Sequence, residues 1–145
     1  MFFSKNKHKN KIIISRVEYV DIPCLNLKKI SAKIDTGAYR GAIHANDIKE
    51  VVKNGKKILQ FHILDESNPK LFKKPHEAEQ YSVKKFRGTK VGYHDRFVIP
   101  LEIIIKGERI TAELSLTDRG DLRHPVLLGR RALKNRFLID VDKKY

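Results

Sequence analysis

Cysteine is nearly absent from this 145-residue chain. Cys24 stands alone, which excludes an intramolecular disulfide framework and any multi-cysteine zinc site. That usage agrees with a reducing compartment. Long apolar runs are missing too: no stretch approaches the roughly 20 residues a membrane-spanning helix needs. The opening MFFSKNKHKN is followed only by Ile12-Ile13-Ile14, which ends at Ser15-Arg16, so a secretory signal is not expected. A cytoplasmic protein without a membrane segment is the expectation. The length itself excludes the two-lobed and barrel enzymes that need well over ~200 residues. One domain is expected over 11–145, preceded by a basic, disordered arm over 1–10.

Acidic residues are the minority, 17 against 31 lysines and arginines, for a net charge of +14. That balance favours a polyanionic partner: nucleic acid, an anionic membrane face or an acidic protein tail. The charge is dispersed, with clusters at Lys5–Lys11, Lys53–Lys57, Lys70–Lys74, Lys84–Lys90 and Arg130–Arg136. A basic solvated surface explains it as well as a specific anion site does. No RNP-like aromatic pattern and no long amphipathic helix accompany it, so nucleic acid is disfavoured.

The pattern is mostly strand. Lys11–Tyr19 reads as one strand, broken by Asp21-Ile22-Pro23, and Ala32–Asp35 as a short one. Val51–Leu59 reads as a hairpin turning at Asn54-Gly55, a pair suited to positive φ. Its second strand continues through Gln60–Leu64, and Asp65–Ala78, with two prolines, reads as a loop. Tyr81–Lys85 and Val91–Ile99 flank Gly88. Leu101–Ile105 and Glu108–Leu116 turn at Lys106-Gly107. Arg130–Lys134 predicts one or two helical turns, and Phe137–Val141 a closing strand. Many short strands at regular spacing predict an all-β fold, a small barrel or sandwich.

The chemistry concentrates at Asp35-Thr36-Gly37-Ala38, at the end of an apolar strand. An ordinary Asx turn explains such a tripeptide in isolation, and chance supplies Asp-Thr-Gly in roughly 2% of chains this long. A second element shifts the balance: Pro125-Val126-Leu127-Leu128-Gly129-Arg130, leading into a short helix. Together they resemble the retroviral-type aspartic proteases, in order and in spacing. The resemblance is closer to a bacterial and archaeal family of small retropepsin-like proteins that carry the label of ATP-dependent zinc proteases. These often occur beside ATP-grasp ligases that add glutamate to a ribosomal protein. Lys33-Ile34-Asp35-Thr36-Gly37-Ala38, Ala42-Ile43-His44-Ala45, Arg96-Phe97-Val98-Ile99, Leu116-Thr117-Asp118-Arg119 and Pro125–Arg130 carry it. Members usually have Ser just before the Ala-Leu-His run, where a hydroxyl can brace the catalytic turn; here that position is Gly41.

The resemblance implies a retropepsin-like acid-protease barrel with a flap hairpin and one short C-terminal helix. It also implies an aspartic endopeptidase that needs no cofactor. Such catalysis uses two carboxylates sharing one proton. The chain has one Asp-Thr-Gly, and Asp118-Arg119-Gly120 is not a second copy. A homodimer contributing Asp35 twice is therefore expected, with Thr36 interlocking across the dyad and Gly37 giving the turn room. Ala38 is a candidate substrate contact. Tyr81–Tyr93, with its tip near Arg87-Gly88-Thr89, is the candidate flap; a plain surface hairpin is the alternative. Arg96, Arg119 and Arg130 are candidates to bind substrate carboxylates bidentately. Internal ion pairs with Asp118, Glu102 or Asp140 are the competing role, and the favoured one for Arg130. The expected substrate is a peptide or an acidic, glutamate-extended protein tail.

No metal site is expected. None of the six histidines forms His-Glu-x-x-His. His44 with Asp47 could offer two ligands on a helix, and two do not make a site. No Walker-type loop supports ATP dependence. A non-catalytic module binding polyanions is the alternative function, followed by a zinc hydrolase.

Overall fold

The computed structural model describes residues 10–63, 74–87, 93–118 and 123–145. The strands are β1 (Ile12–Ser15), β2 (Val17–Ile22), β3 (Leu27–Ile34), β4 (Gly41–Lys53), β5 (Lys56–Ile63) and β6 (His76–Ala78), then β7 (Ser82–Arg87), β8 (Tyr93–Ile105), β9 (Glu108–Thr117), β10 (Val126–Leu128) and β11 (Phe137–Asp140). A 3-10 turn (Pro23–Leu25) separates β2 from β3, and the single-turn helix α1 (Arg130–Leu133) precedes β11.

Strand order β10-β3-β2-β8-β9-β4 returns to β10, closing a six-stranded barrel. The expected all-β, retropepsin-like barrel with one short C-terminal helix is what the chain forms. Alternation fills it. Ile99, Leu101 and Ile103 of β8 pair with Leu114, Ala112 and Ile110 of β9, and Ile105 and Leu116 extend the row, all buried. Period two places every second side chain inside. Each fully buried Ile or Leu contributes about 1.5–3 kcal/mol relative to exposure. β5 and β6 extend the sheet beyond β4, and β7 pairs the first half of β8.

Three expectations need correction. Lys11–Tyr19 is not one strand: it breaks at Arg16, so that β1 pairs in parallel with β11 while β2 enters the barrel. The buried Glu18 holds the break, accepting the Ser15 N–H at 2.7 Å. β8 runs unbroken through Pro100, because it changes neighbours there, from β7, ending at Val98, to β2, starting at Ile104. A proline costs no ladder bond where one side of a strand has no partner. Finally, His76–Ala78 is a strand beside β5 rather than loop; residues 64–73 and the first nine residues of the expected basic arm lie outside the described residues. Both expected hairpin turns form, at Asn54-Gly55 (φ 51°, 77°) and Lys106-Gly107 (φ 50°, 78°). Both residues of each adopt positive φ, as a two-residue turn of this type requires.

Candidate active site

β3 delivers Asp35 one residue past its last barrel position. Its partner in parallel register is β10, with Leu128 opposite Ile34. The ladder continues one step further: the Asp35 N–H donates to the Leu128 carbonyl at 2.9 Å. β10 is wedged between β3 and β4, parallel to one and antiparallel to the other. The start of the turn is thus fixed to the barrel wall.

Beyond Asp35 the backbone reverses. The Gly37 N–H donates to Asp35 Oδ1 at 2.9 Å, and the Ala38 N–H to the Asp35 carbonyl at 3.3 Å. A Cβ on Gly37 would stand 3.1 Å from the same Oδ1, so a larger residue would crowd the carboxylate. Asp35 is half-buried, Thr36 and Gly37 are exposed, and Ala38 is half-buried. The arrangement presents one carboxylate, oriented by a backbone donor, at the rim of an apolar barrel.

The far side of the turn is held by α1. Its first N–H groups have no side-chain cap. Instead Arg130 N–H donates to the Ala38 carbonyl at 2.8 Å and Arg131 N–H to the Tyr39 carbonyl at 2.9 Å. The site's own carbonyls therefore satisfy donors that a helix start leaves unpaired. Gly129 makes this approach possible, since a Cβ there would lie 2.7 Å from both carbonyl oxygens. Arg130 Nη1 also reaches the Thr36 carbonyl at 2.8 Å, and its guanidinium lies 5.8 Å from the centre of the Tyr39 ring. The ion pair expected of Arg130 does not form: its anchor is a backbone carbonyl, while Glu102 pairs with Arg109 and Asp140 with Lys143. Tyr39 and Gly129 were not singled out from the sequence; the Leu-Leu-Gly-Arg run was the signal for Gly129.

The other candidates lie elsewhere on the fold. Arg96 is on the β7–β8 ribbon with its guanidinium 4.8 Å from the Phe86 ring centre. Arg87 ends β7 opposite Tyr93; its side chain, the whole of Gly88 with the candidate flap tip, and Arg119 lie outside the described residues. His44, buried in β4, donates its N–H to the Pro125 carbonyl at 2.8 Å, and its Nδ1 lies 3.7 Å from Asp118. The suggested His44–Asp47 pair does not assemble, because the segment is strand: Asp47 approaches His62 instead, at 3.6 Å. Among the described residues no three His, Cys, Asp or Glu side chains gather to hold a metal, and no helix is long and apolar enough to cross a membrane. His76, inside the β5–β6 extension, is held below the usual histidine range by burial and by the nearby His62.

Comparison with known proteins agrees with this geometry. The family described as retropepsin-like aspartic endopeptidase RimB matches residues 13–145. A protein with unknown function from Legionella pneumophila, known by crystal structure, superposes with a TM-score of 0.68 at 27% identity, covering 92% of this chain and 95% of that one. Curated relatives are probable alpha-L-glutamate ligases. The Shewanella halifaxensis protein is 28% identical over 136 residues, 94% of this chain and 30% of its own length. The one from Parasynechococcus marenigrum is 28% identical over 132 residues, 91% and 28%. The chain spans less than a third of these curated relatives.

Proposed function

The chain belongs to the RimB-like family of retropepsin-like aspartic endopeptidases, and on that footing we propose that it hydrolyses peptide bonds as a homodimer, with Asp35 from each copy forming one dyad. The observation that carries the proposal is the Asp35 turn: a half-buried carboxylate at a strand end, oriented by the Gly37 N–H and braced by Arg130. In the register of β3 and β10 the residue after Leu128, opposite Asp35, is Gly129. The parallel neighbour of Asp35 within one chain thus offers no second carboxylate, and in this proposal a second copy supplies it.

In the dyad, two carboxyl groups in contact share one proton, since adjacent like charges resist joint ionisation. The ionised Asp35 takes a proton from water as the water oxygen attacks the scissile carbonyl carbon. The protonated one donates to the carbonyl oxygen. Collapse of the tetrahedral intermediate returns a proton to the leaving amine and breaks the C–N bond. Gly37 N–H, bound to Oδ1, fixes the carboxylate plane throughout. Thr36, exposed beside Asp35, is the proposed contact with its counterpart across the two-fold axis, and Ala38 the proposed lining of the substrate path. The β7–β8 ribbon is the proposed flap, with Arg96 on its shaft, and Arg87 and Gly88 are proposed as its substrate-contacting residues. Arg96 and Arg119 are the arginines proposed to meet substrate carboxylates.

The substrate is an acidic or glutamate-extended protein tail. The net charge of +14 supports this, as does the likeness to a segment of proteins named glutamate ligases; a functional link to such a ligase is part of the proposal. Mass spectrometry of an acidic peptide library tests the reading. Cleavage by the wild type that disappears in Asp35→Asn and survives a chelator supports it. Cleavage that persists in Asp35→Asn overturns it, loss with chelator favours a zinc hydrolase, and binding without cleavage by the wild type favours a polyanion-binding module.

A further inference from the structure

Glu113 stands on the outer face of β9, opposite Pro100 of β8 and between the buried Ala112 and Leu114. Its Oε2 accepts two arginines at once, Arg40 Nη1 at 2.9 Å and Arg131 Nη1 at 2.7 Å. The two come from distant parts of the sequence. Arg40 ends the segment that turns away from Asp35, and Arg131 is the second residue of α1. Parallel register brings Arg40 there: β4 enters beside β9 with Gly41 opposite Leu114, so the residues just before them, Arg40 and Glu113, are neighbours as well.

Three guanidinium groups crowd this end of the site. Arg40 and Arg130 lie 5.7 and 5.8 Å from the centre of the Tyr39 ring, and the Arg131 N–H holds the Tyr39 carbonyl. Neighbouring like charges repel, and a carboxylate between two of them replaces that repulsion with attraction. The helix cannot supply the order itself. Four residues form too few internal bonds to persist alone, so the place of α1 is set by what it touches: the core, through the buried Leu133, and Glu113, through Arg131. Packing does not fix the arginines either. A cavity of about 210 Å³, lined by Arg40, Glu113 and Arg131 with Pro100, Thr111 and Ala132, leaves both of them room to move.

What the carboxylate holds in place is the brace on the Asp35 turn. The bonds from Arg130 N–H to the Ala38 carbonyl and from Arg131 N–H to the Tyr39 carbonyl run between the two segments that Glu113 joins. The bond from Arg130 Nη1 to the Thr36 carbonyl runs between them too. A shift of α1 away from the turn would lengthen all three together. A misplacement of about 1 Å in a reacting group is enough to cost about a hundredfold in rate.

We infer that Glu113 is a positioning residue of the proposed active site: by pairing Arg40 and Arg131 through one oxygen it holds the Asp35 turn against α1. The inference rests on the aspartic-protease reading above. Solvent-exposed ion pairs contribute little to global stability, so the role shows as local order at the turn and not as a large loss of fold. Glu102, paired with Arg109 within the β8–β9 hairpin, is the matched carboxylate for comparison.

Amide hydrogen exchange, followed by NMR, reads the turn directly. Glu113→Gln keeps the shape and removes the charge. In it the Arg130 and Arg131 amides should exchange about tenfold faster, while the Ile34 amide, bonded to the Arg16 carbonyl, stays within about twofold of wild type. Glu113→Asp, shorter but charged, should restore part of the protection, and Glu102→Gln should alter neither arginine amide. Unchanged exchange at Arg130 and Arg131 in Glu113→Gln overturns the inference. Equal acceleration at Ile34 overturns it too, since that marks a general loss of stability. Cleavage of an acidic peptide that the wild type cuts is then measured. Glu113→Gln should lower kcat about tenfold with KM within about twofold, and Glu102→Gln should leave both unchanged. Equal losses in the two variants would assign the effect to surface charge and overturn the role. Asp35-dependent cleavage that is indifferent to Glu113→Gln rejects the positioning role and leaves the protease reading standing. Faster exchange at the two amides with no Asp35-dependent cleavage rejects the protease reading and retains Glu113 as the clamp on the turn.

Discussion

Arg130 donates from Nη1 to the carbonyl oxygen of Thr36 at 2.8 Å, across 94 residues of sequence. The bond ties the helix that follows β10 to the turn that follows β3. Arg130→Ala removes it, together with the contact to Tyr39. A hydrogen bond from a charged donor is worth about 1.5–3 kcal/mol when sheltered and less when exposed. Arg130 is exposed, so urea denaturation should show a loss of about 1 kcal/mol. Peptidase activity should fall more steeply than stability, because the turn holding Asp35 loosens. Arg130→Lys, lacking the planar fork, should rescue stability better than activity.

Gly41 begins β4, at the position where the family resemblance leads one to expect Ser. A Cβ there would lie 2.4 Å from the Leu127 carbonyl oxygen and 2.5 Å from Leu114 Cδ2. Backbone and core side chain leave no room for it. The Ser115 hydroxyl already donates to the Gly41 carbonyl, at 3.4 Å. Gly41→Ser should therefore destabilise, by about 1–3 kcal/mol for overpacking. Urea denaturation is the check; an unchanged or raised midpoint would show that β10 can retreat without cost.

His76 gives stability a pH dependence of definite sign. Burial and the neighbouring His62 lower its proton affinity from the ordinary value of 6.5. The unfolded chain therefore binds this proton at a pH where the folded chain does not, and stability rises with pH across that interval. The contribution is complete above about pH 6.5 and is lost as pH falls through the folded-state value. His76→Gln should flatten stability between pH 7 and 5 relative to wild type, read from urea midpoints at each pH. A parallel slope in both proteins would assign the effect to other groups.

A shared dyad has a stoichiometric signature. Mixing wild type with an equal amount of Asp35→Asn should leave about a quarter of the activity of the same total wild type, as random pairing predicts. Independent single-chain sites would leave half. Specific activity should also fall on dilution, and sedimentation equilibrium at the same concentrations should show dimers dissociating in step.

Local signals were the legible ones. Asn54-Gly55 and Lys106-Gly107 announced their turns because two positive φ values in succession suit few residue pairs. Asp35–Ala38 and Leu127–Arg130 marked both halves of the site because each is contiguous. The split at Arg16 was hidden, since it depends on Glu18 turning back to Ser15. The start of β4 was hidden as well. Its alternation fails at Asp47, which takes φ 49° where the pairing with β5 shifts register, and such an irregularity erases the period that reveals a strand. Tyr39, and Glu113 between Arg40 and Arg131, could not be found from spacing, because what brings each to its place is bonding between distant segments.

The wedge of β10 between β3 and β4 bears on how the protein comes into being. Val126 meets Ala32 and Ile43 only after the ribosome has made more than eighty further residues. Until then the barrel is open, and β3 ends in a turn with neither the Leu128 carbonyl nor the α1 donors to hold it. Pairing across such separation is slow compared with hairpin closure. A nascent chain therefore carries Asp35 on an unbraced turn until β10 and α1 have been made and have docked.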